Sequence, residues 1–406
     1  MEKVNVFDVL EERGYIEQMT HPDEIKKLFG EKSVSFYIGI DPTADSLHVG
    51  HFVSLMVAGH MQRCGHKPII LVGGGTAVIG DPSGKTDMRK MLSRETIDNN
   101  VKCIKKQIEK FVSFEGENAA IIVNNADWLL DLKYVDFMRE IGSLFSVNKM
   151  LSAECYKTRM ENGLTFFELG YMLMQSYDFL HLYNEYGCKL EMGGNDQWSN
   201  IIGGVELIRK IGKDDSYGLT FKLLTTKEGK KMGKTEKGAL WLDPEKTSPY
   251  EFYQYWRNIE DESVKKVLCL LTYLQMERIN ELTSVNDERI NEAKKVAAYE
   301  ITKLVHGEEE ATKAEAASNA LFEGKGNLEH IPTVKLQNPN CSILDAIIES
   351  GIAPSKSQAR TLINQNGISL NDNVISDVNY TLSDYDFKEG YAILKKGKKI
   401  FYKLEK

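Results

Sequence analysis

Short apolar runs separated by glycine-rich turns predict a parallel sheet in the first half of the chain. The run at 34–40 leads through a polar turn into apolar residues at helical spacing, which stop near Gly65. A second apolar run, 68–72, ends in three successive glycines. A strand, a helix and a second strand in this order predict a right-handed βαβ unit.

Two more strands are predicted at 119–123 and 189–192, the first of them after a long polar helix at 94–111. Doubly wound sheets bind ligands beyond the carboxyl ends of their strands. Small and polar residues concentrate at those ends, at 37–41, 73–76, 124–125 and 193–197. We therefore expect one binding site there. A helical insertion is predicted near 128–186, and its apolar content fits either ordinary core or a subunit interface.

The second half of the chain is predicted to be helical and then to change character. Ser248 and Pro249 form a helix start, and helical sequence continues to about residue 322. Residues 324–340 lack periodicity and are predicted to form a linker. The tail, 341–406, holds nine Lys or Arg against eight Asp or Glu, a balance of +1 against −9 for the remaining residues.

We therefore expect an α/β fold in several parts. A Rossmann-like parallel-sheet catalytic domain is predicted at 1–247, with the helical insertion inside it. An α-helical domain is predicted at 248–323, followed by the linker at 324–340. The tail at 341–406 begins with a helix and ends rich in β-formers, and we expect it to be a separate module.

Composition narrows the class of protein. With 406 residues, 42% of them hydrophobic and 27% charged, the chain is an ordinary globular protein with a sizeable core. A net charge of −8 leaves room for a local basic site only. Six scattered cysteines fit reduced thiols, so we expect a cytoplasmic protein. Since there is no run of 18 apolar residues and the first residues are charged, neither a membrane span nor a signal peptide is predicted.

Two basic constellations are candidates for phosphate binding. His48 and His51 lie at the start of the predicted helix, where a partial positive charge suits a phosphate and Gly50 allows close approach. Taken alone, they also fit a metal pair or two partly buried histidines. The loop at 228–238 carries Lys-Lys-Met-Gly-Lys-Thr, whose lysines could reach a polyphosphate. Alone, it also fits an ordinary solvated loop.

Together, these two stretches resemble the paired signatures of the class I aminoacyl-tRNA synthetases. The first reads His-Val-Gly-His at 48–51 and the second Lys-Met-Gly-Lys-Thr at 231–235, in the order of that family. The second departs from the family's usual serines at Gly233 and Thr235. Thr235 keeps a hydroxyl group, whereas Gly233 is expected to loosen the loop.

Further motifs resemble the bacterial type of the tyrosyl-tRNA synthetase family. They are Tyr-x-Gly-x-Asp-Pro-Thr at 37–43, Gly-Asp-Pro-Ser-Gly-Lys at 80–85 and Gly-Gly-Asn-Asp-Gln-Trp at 193–198. Tyr171, Gln175 and Asp178 follow one another at spacings of four and three, which puts them on one face of a helix. The resemblance implies a tyrosine–tRNA ligase, which activates L-tyrosine with ATP to tyrosyl-adenylate and diphosphate and then transfers tyrosine to the 3′ end of tRNA(Tyr).

The resemblance also implies a role for each matching residue. Tyr37 and Asp178 would pair the phenol of the substrate, and Asp81, Tyr171 and Gln175 its ammonium group. The implied catalytic residues, which act on phosphate, are His48, His51, Thr43, Lys85, Arg89, Lys231, Lys234 and Thr235. The implied ATP contacts are Asp41, Gly50, Gly194, Asp196, Gln197 and Lys234. Mg²⁺ would lie on the ATP phosphates, with no protein-bound metal. Glu191 stands where the family carries a glutamine near the substrate.

The tail resembles an S4-like RNA-binding domain over 353–374. Lys356 and Arg360 lie four apart on one predicted helix face, where they could meet phosphates of tRNA. The resemblance further implies a homodimer formed through residues near 128–153. No membrane partner is expected.

Three alternatives remain open at the level of sequence. The tryptophan enzyme shares the fold and both signatures, but Asp178 and the S4-like tail speak against it. A small nucleotidyltransferase could carry the histidine pair, although it needs neither the lysine loop nor the RNA module. An RNA-binding protein with an inactive synthetase core is the third, and the presence of every phosphate-facing residue speaks against it.

Overall fold

The computed structural model describes residues 4–31, 33–83, 92–213, 215–226, 229, 231–235, 238–284, 289–323, 333–371, 373–387, 390–397 and 400–406, without the side chains of 31, 158, 234, 235, 320–323 and 400. Contacts group the chain into two compact units. The first comprises Met1–Thr247 and Asp261–Val285, and the second comprises Ser248–Glu260 and Asn286–Lys406. The second unit begins at Ser248, and 261–285 belongs with the first unit.

A six-stranded sheet forms the centre of the first unit. Its strands are β1 (Ile16–Met19), β2 (Ser35–Ile40), β3 (Lys67–Val72), β4 (Ile121–Asn124), β5 (Leu190–Gly194) and β6 (Tyr217–Phe221), in the spatial order β1-β6-β5-β2-β3-β4. All neighbours are parallel except β1, which pairs antiparallel with β6. The strand order reverses between β2 and β5, so the switch point of the sheet lies between their carboxyl ends. A short hairpin, β7 (Lys234–Thr235) and β8 (Gly238–Ala239), follows the sheet.

Helices surround the sheet and supply the rest of the core. They are α1 (Val6–Glu12), α2 (Pro22–Glu31), α3 (Val49–Arg63), α4 (Arg94–Ile108), α5 (Ala126–Leu129), α6 (Tyr134–Glu140), α7 (Val147–Leu151), α8 (Glu154–Glu161), α9 (Phe166–Tyr186) and α10 (Trp198–Lys210). Helix α11 (Pro249–Arg257) belongs to the second unit, and α12 (Val264–Leu271) and α13 (Met276–Leu282) belong to the first. In the described part of the chain, no helix is both long and apolar enough to cross a membrane.

The α/β prediction for the first half is confirmed. The strands expected at 34–40, 68–72, 119–123 and 189–192 are β2 to β5, and the segment near 128–186 is helical. Strands β1 and β6 were not predicted. Gln18 in β1 bonds to Thr220 in β6, 202 residues away, and so short a strand with so distant a partner leaves no local periodicity.

Helix α9 is the longest helix of the insertion and is held firmly at both ends. Thr165 and Glu168 form a capping box at its start, and Gly187 ends it in the left-handed conformation, with φ of 62°. The buried Glu168 carboxylate also accepts from the Arg159 guanidinium at 2.7 Å. This ion pair lowers the pKa of Glu168. The helix that carries Tyr171, Gln175 and Asp178 is thus fixed before any ligand binds.

The second unit combines three packed helices with a small α/β module. Ser248 caps α11 as predicted, and α11 packs against α14 (Ile290–His306) and α15 (Glu308–Glu323). The tail contains α16 (Ile343–Glu349), α17 (Lys356–Asn364) and a five-stranded sheet in the order β11-β10-β12-β13-β9. Its strands are β9 (Thr333–Lys335), β10 (Ile368–Leu370), β11 (Asn373–Val374), β12 (Tyr391–Lys396) and β13 (Ile400–Glu405).

Strand β9 lies inside the segment predicted as a linker. It pairs in parallel with β13, so residues 333–335 form an edge strand of the C-terminal sheet. Three residues are too few to show an alternating pattern, which explains why the sequence did not predict a strand there. The domain boundaries as a whole stay a prediction.

Candidate active site

The switch point between β2 and β5 gathers most of the predicted site residues. Tyr37 on β2 and Glu191 on β5 are register partners, so their side chains emerge from the same face of the sheet. Helix α9 covers this face, and the Tyr37 ring packs against Phe179 with centroids 5.5 Å apart. Because α9 also carries Tyr171, Gln175 and Asp178, one pocket wall combines residues from three distant parts of the sequence.

The Tyr37 hydroxyl group is buried and makes no hydrogen bond of ordinary length among the described residues, although the Glu191 carboxyl group lies near enough to affect its pKa. Burial raises the pKa of Tyr37 well above its usual value, and the nearby carboxyl groups of Glu191 and Asp178 raise it further. The phenol is therefore neutral at physiological pH. An unpaired polar group inside a protein costs free energy, which a bound hydroxyl group would recover.

Asp178 is held by two side-chain N–H donors. Asn125 Nδ2 donates to Oδ2 and Trp128 Nε1 donates to Oδ1, both at 2.8 Å. Burial raises the pKa of Asp178 well above its ordinary value, and these two hydrogen bonds oppose the shift. The donors fix the orientation of the carboxyl group and leave lone pairs on both oxygens for a further donor.

Asp41 at the end of β2 is the centre of a second polar cluster. Its carboxylate accepts from Tyr171 Oη at 2.9 Å and from Thr76 Oγ1 at 2.8 Å. Thr76 Oγ1 in turn accepts from Asn125 Nδ2 at 3.1 Å, so the Asp41 and Asp178 clusters form one network. A side chain at Gly73 would collide with Asp41 and Thr76, which explains why glycine follows β3.

Gln175 and Glu191 form a buried pair beside Tyr37. Gln175 Nε2 donates to Glu191 Oε1 at 2.9 Å, and the Glu191 side chain is almost completely buried. Burial raises the pKa of Glu191 to about 7, and the hydrogen bond from Gln175 opposes that shift. Glu191 is therefore hydrogen-bonded to Gln175, which is a predicted contact of the substrate ammonium group.

Asp81 is buried near the carboxyl end of β5. Gln197 Nε2 donates to Asp81 Oδ2 at 2.7 Å, and Asp81 Oδ1 accepts from the Ser83 backbone. Asn200 Nδ2 bonds to Gln197 Oε1 at 3.1 Å. The predicted ammonium contact Asp81 and the predicted ATP contact Gln197 are thus directly bonded.

The two histidines of the first signature form the N-terminal cap of α3. His48 Nδ1 accepts from the Gly50 backbone N–H at 2.9 Å, and His51 Nδ1 accepts from the His48 N–H at 3.3 Å. Since each Nδ1 is an acceptor, the proton of each neutral ring lies on Nε2. The two rings, with centroids 4.2 Å apart, therefore present N–H donors for phosphate or ribose.

The second signature packs directly on the first. Gly233 is buried with φ of +83°, and a Cβ atom there would lie 2.6 Å from Val49 Cβ. The Val49 N–H donates to Leu240 O at 3.0 Å, and the Leu240 N–H donates to Gly233 O at 2.8 Å. The missing side chain at Gly233 allows this close contact and a left-handed backbone, and the expectation that Gly233 loosens the loop stays a prediction.

Lys231 joins the lysine loop to the end of β5. Its Nζ lies 3.0 Å from Asp196 Oδ2, in an ion pair of which the lysine is largely exposed. Gly194 lies close to the same aspartate, because a Cβ atom at Gly194 would lie 2.9 Å from Asp196 Oδ1. Lys231, Asp196 and Gly194 thus lie together beyond the carboxyl end of β5.

The remaining predicted site residues are placed less completely. Thr43 and Gly50 are exposed on the turn and at the start of α3, where Asn100 Nδ2 anchors the turn through Pro42 O at 2.9 Å. Lys85 and Arg89 lie outside the described residues. The backbone of Lys234 and Thr235 forms β7, whereas their side chains lie outside the described part of the chain.

Three residues that hold the site together were assigned no individual role from the sequence. Asn125 and Trp128 hold Asp178, and Thr76 links the two carboxylate clusters. Asn125 was noticed as a polar residue at a strand end, and that position was its only signal. Trp128 begins a helical segment with ordinary apolar composition, so nothing local indicated its indole hydrogen bond.

The predicted tRNA contacts lie in the second unit on α17. Lys356 and Arg360 are both exposed, while Ala359 and Ile363 on the same helix are buried in the core of the tail. Lys356 Nζ lies 2.7 Å from Asp345 Oδ1, so part of its charge is balanced. Both residues are on the solvent side of a firmly packed helix.

No group of three potential metal ligands is gathered anywhere among the residues that the structure describes. All six cysteines are free thiols.

Comparison with known proteins identifies the class. Residues 30–323 match the family model of class I tRNA synthetases (W and Y), and residues 323–404 match that of the tyrosine–tRNA ligase SYY-like C-terminal domain. The first match spans strands β2 to β6 and the whole of the predicted active site, and the two matches together span residues 30–404. The chain belongs to the class I tRNA synthetases.

Relatives with high sequence identity to this chain within that class are tyrosine–tRNA ligases. The chain is 58% identical over 403 residues to the tyrosine–tRNA ligase of Caldanaerobacter subterraneus subsp. tengcongensis, with 99% of each chain covered. It is also 58% identical over 402 residues to that of Clostridium kluyveri, covering 98% of this chain and 99% of the relative. A C-terminally truncated mitochondrial tyrosyl-tRNA synthetase from Aspergillus nidulans superimposes with a TM-score of 0.69 at 29% identity, covering 78% of this chain and 94% of that one.

Proposed function

We propose that the chain is a tyrosine–tRNA ligase. It activates L-tyrosine with ATP to tyrosyl-adenylate and diphosphate, and then transfers tyrosine to the 3′ end of tRNA(Tyr). The observation that carries the choice of amino acid is the buried, unpaired hydroxyl group of Tyr37 next to the fixed carboxyl group of Asp178. The phenol of tyrosine both donates and accepts a hydrogen bond, so it can satisfy both groups. Phenylalanine would leave them unpaired.

The ammonium group of the substrate is bound by Asp81, Tyr171 and Gln175. The Tyr171 hydroxyl donates to Asp41, so its own oxygen is oriented as an acceptor. Gln197 and Ser83 fix Asp81 in the same way. Three acceptors held by partners on other elements give the ammonium group a site that needs little rearrangement on binding.

Adenylate formation is an in-line attack of the tyrosine carboxylate on the α-phosphorus of ATP, with diphosphate as the leaving group. The carboxylate is already a nucleophile, so the site needs no general base. Catalysis then consists of positioning and of stabilising the charge on phosphate. The donors proposed for this task are His48, His51, Thr43, Lys85, Arg89, Lys231, Lys234 and Thr235. The nucleotide is held by Asp41, Gly50, Gly194, Asp196, Gln197 and Lys234.

The fixed tautomers of His48 and His51 support their part in this mechanism. Because backbone N–H groups occupy both Nδ1 atoms, the Nε2–H groups are oriented donors before ATP arrives. Mg²⁺ would add positive charge on the ATP phosphates. In the second step a terminal ribose hydroxyl of tRNA attacks the carbonyl carbon of the adenylate, and AMP leaves.

The proposed partners are inferred from exposed residues on α17 and in the helical insertion. The exposed Lys356 and Arg360 on α17 contact tRNA phosphates. The protein forms a homodimer through its helical insertion, because large apolar side chains there are exposed, with Tyr134 65% and Val135 73% accessible. The free thiols support a reducing compartment, the cytoplasm.

The test is ATP–pyrophosphate exchange with single amino acids. We expect L-tyrosine to drive exchange and L-tryptophan and L-phenylalanine to drive little. Exchange driven by tryptophan and not by tyrosine would overturn the proposed specificity. Subsequent transfer of labelled tyrosine to tRNA(Tyr) tests the second step with the same preparation.

A further inference from the structure

A buried carboxyl group lies behind one of the proposed ammonium contacts, and the mechanism above assigns it no task. Glu191 emerges from β5 next to Tyr37 and accepts from Gln175 Nε2 at 2.9 Å. Helix α10 closes the space from the other side, since a Cβ atom at Gly204 would lie 3.0 Å from Glu191 Oε2. The carboxyl group is thus enclosed by β2, α9 and α10.

The hydrogen bond decides which way the Gln175 amide points. An ionised carboxylate can only accept, so above the pKa of Glu191 the NH₂ group of Gln175 must face it. The carbonyl oxygen then points away from Glu191, and among the described hydrogen bonds it accepts none. An ammonium group needs an acceptor, and the reversed amide would present two N–H donors to it instead.

We infer that Glu191 is a positioning residue of the tyrosine site, which holds the Gln175 amide with its carbonyl oxygen toward the substrate ammonium group. The inference rests on the proposed function, since it assumes that Gln175 meets that ammonium group. Glu191 does not touch the substrate. It acts through the orientation of Gln175 and through its negative charge in a buried environment, where charges interact more strongly than in water.

The charge of Glu191 makes this positioning dependent on pH. The titratable groups that face Glu191 are Tyr37 on β2, Asp178 on α9 and Cys188 before β5. Burial raises the pKa of both Tyr37 and Cys188, so neither ionises between pH 6 and 8. Glu191, with its pKa raised to about 7, gains its charge in that range. Tyrosine should bind more tightly as the pH rises through 7, because only the anion attracts the ammonium group.

Two substitutions separate orientation from charge. Glu191→Gln keeps an acceptor for Gln175 but removes the ionisation, and Glu191→Met removes both. Glu185→Gln, an exposed carboxyl group near the end of α9, is the control. The assay is tyrosine-dependent ATP–pyrophosphate exchange from pH 6 to 8, with KM for tyrosine, KM for ATP and kcat measured separately.

In the wild-type protein and the Glu185→Gln control, we expect KM for tyrosine to fall with rising pH by up to about tenfold per unit below pH 7. Glu191→Gln should stay active with a flatter pH profile. Glu191→Met should raise KM for tyrosine by about tenfold, the loss of one hydrogen bond to a charged group, with little change in KM for ATP.

Other outcomes would overturn the inference. An unchanged KM for tyrosine in Glu191→Met, or an equal rise in both KM values, would show that Glu191 only packs the core. A Glu191→Gln profile as steep as that of the wild type would assign the pH dependence to another group. Absence of tyrosine-dependent exchange in the wild-type protein would instead overturn the proposed function, and the inference with it.

Discussion

Replacing Tyr37 by phenylalanine removes a single oxygen atom, and the structure predicts opposite effects on stability and on tyrosine binding. In the free protein the hydroxyl group is buried and has no partner among the described residues. Such a group costs about 1–3 kcal/mol of desolvation. Its removal should therefore leave the free energy of unfolding unchanged or increase it, with a midpoint of thermal unfolding that is equal or a few degrees higher.

Binding of tyrosine should weaken, because the substrate phenol loses one hydrogen bond. A hydrogen bond between neutral groups contributes about 0.5–1.5 kcal/mol, which corresponds to roughly a 2- to 13-fold rise in KM for tyrosine. Phenylalanine makes no such bond, so its KM should not change. Tyrosyl-tRNA synthetases reject phenylalanine by about 10⁵, a value established for that family and not worked out from this structure. Most of the discrimination should therefore remain, carried by Asp178.

Tyr156 provides a matched control. It is also completely buried, but its hydroxyl donates to Leu169 O at 2.9 Å. Tyr156→Phe should lower the free energy of unfolding by about 1 kcal/mol and leave KM for tyrosine unchanged. The reasoning would be refuted if Tyr37→Phe destabilised the protein as much as Tyr156→Phe, or if it left the tyrosine KM unaltered.

Three further predictions concern the lysine loop, the tail and the insertion. Gly233→Ala should greatly reduce pyrophosphate exchange, because its Cβ atom would collide with Val49. The control is Gly229→Ala, which is also at positive φ but in open space and should cost only about 1–2 kcal/mol of backbone strain. Equal exchange activities of the two variants would contradict the packing argument. Lys356→Glu combined with Arg360→Glu should raise KM for tRNA(Tyr) and weaken its salt dependence while sparing pyrophosphate exchange, and unchanged charging would remove α17 from the tRNA site. Val135→Glu should shift the protein from dimer to monomer in a sedimentation experiment. Ile211→Glu, a change at another exposed apolar residue, should leave the dimer intact. A stable dimer of the Val135→Glu variant would place the interface elsewhere.

The local architecture of the site could be predicted because its signals are local. Apolar periodicity and glycine turns identified β2, α3 and β3, and the spacing of Tyr171, Gln175 and Asp178 placed all three on α9. The position of His48 before an apolar helix indicated a helix start, and the structure makes it the N-terminal cap of α3. Each of these features depends on residues fewer than about ten positions apart, where backbone geometry alone fixes the relation.

The contacts that define the chemistry were decided by the tertiary structure. Asn125 and Trp128 reach Asp178 across some 50 positions, Glu191 reaches Gln175 from another element, and Gly233 rests on Val49. The sequence does not show whether a charged side chain is exposed to water or hydrogen-bonded to an amide in a closed pocket. The sequence by itself determined which residues lie at the strand ends and which face of α9 they share. Only the packing of α9 and α10 on the sheet decided that Tyr37 keeps an unpaired hydroxyl and that Glu191 turns toward Gln175, because burial and hydrogen-bond partners arise from elements that meet only when the chain is folded.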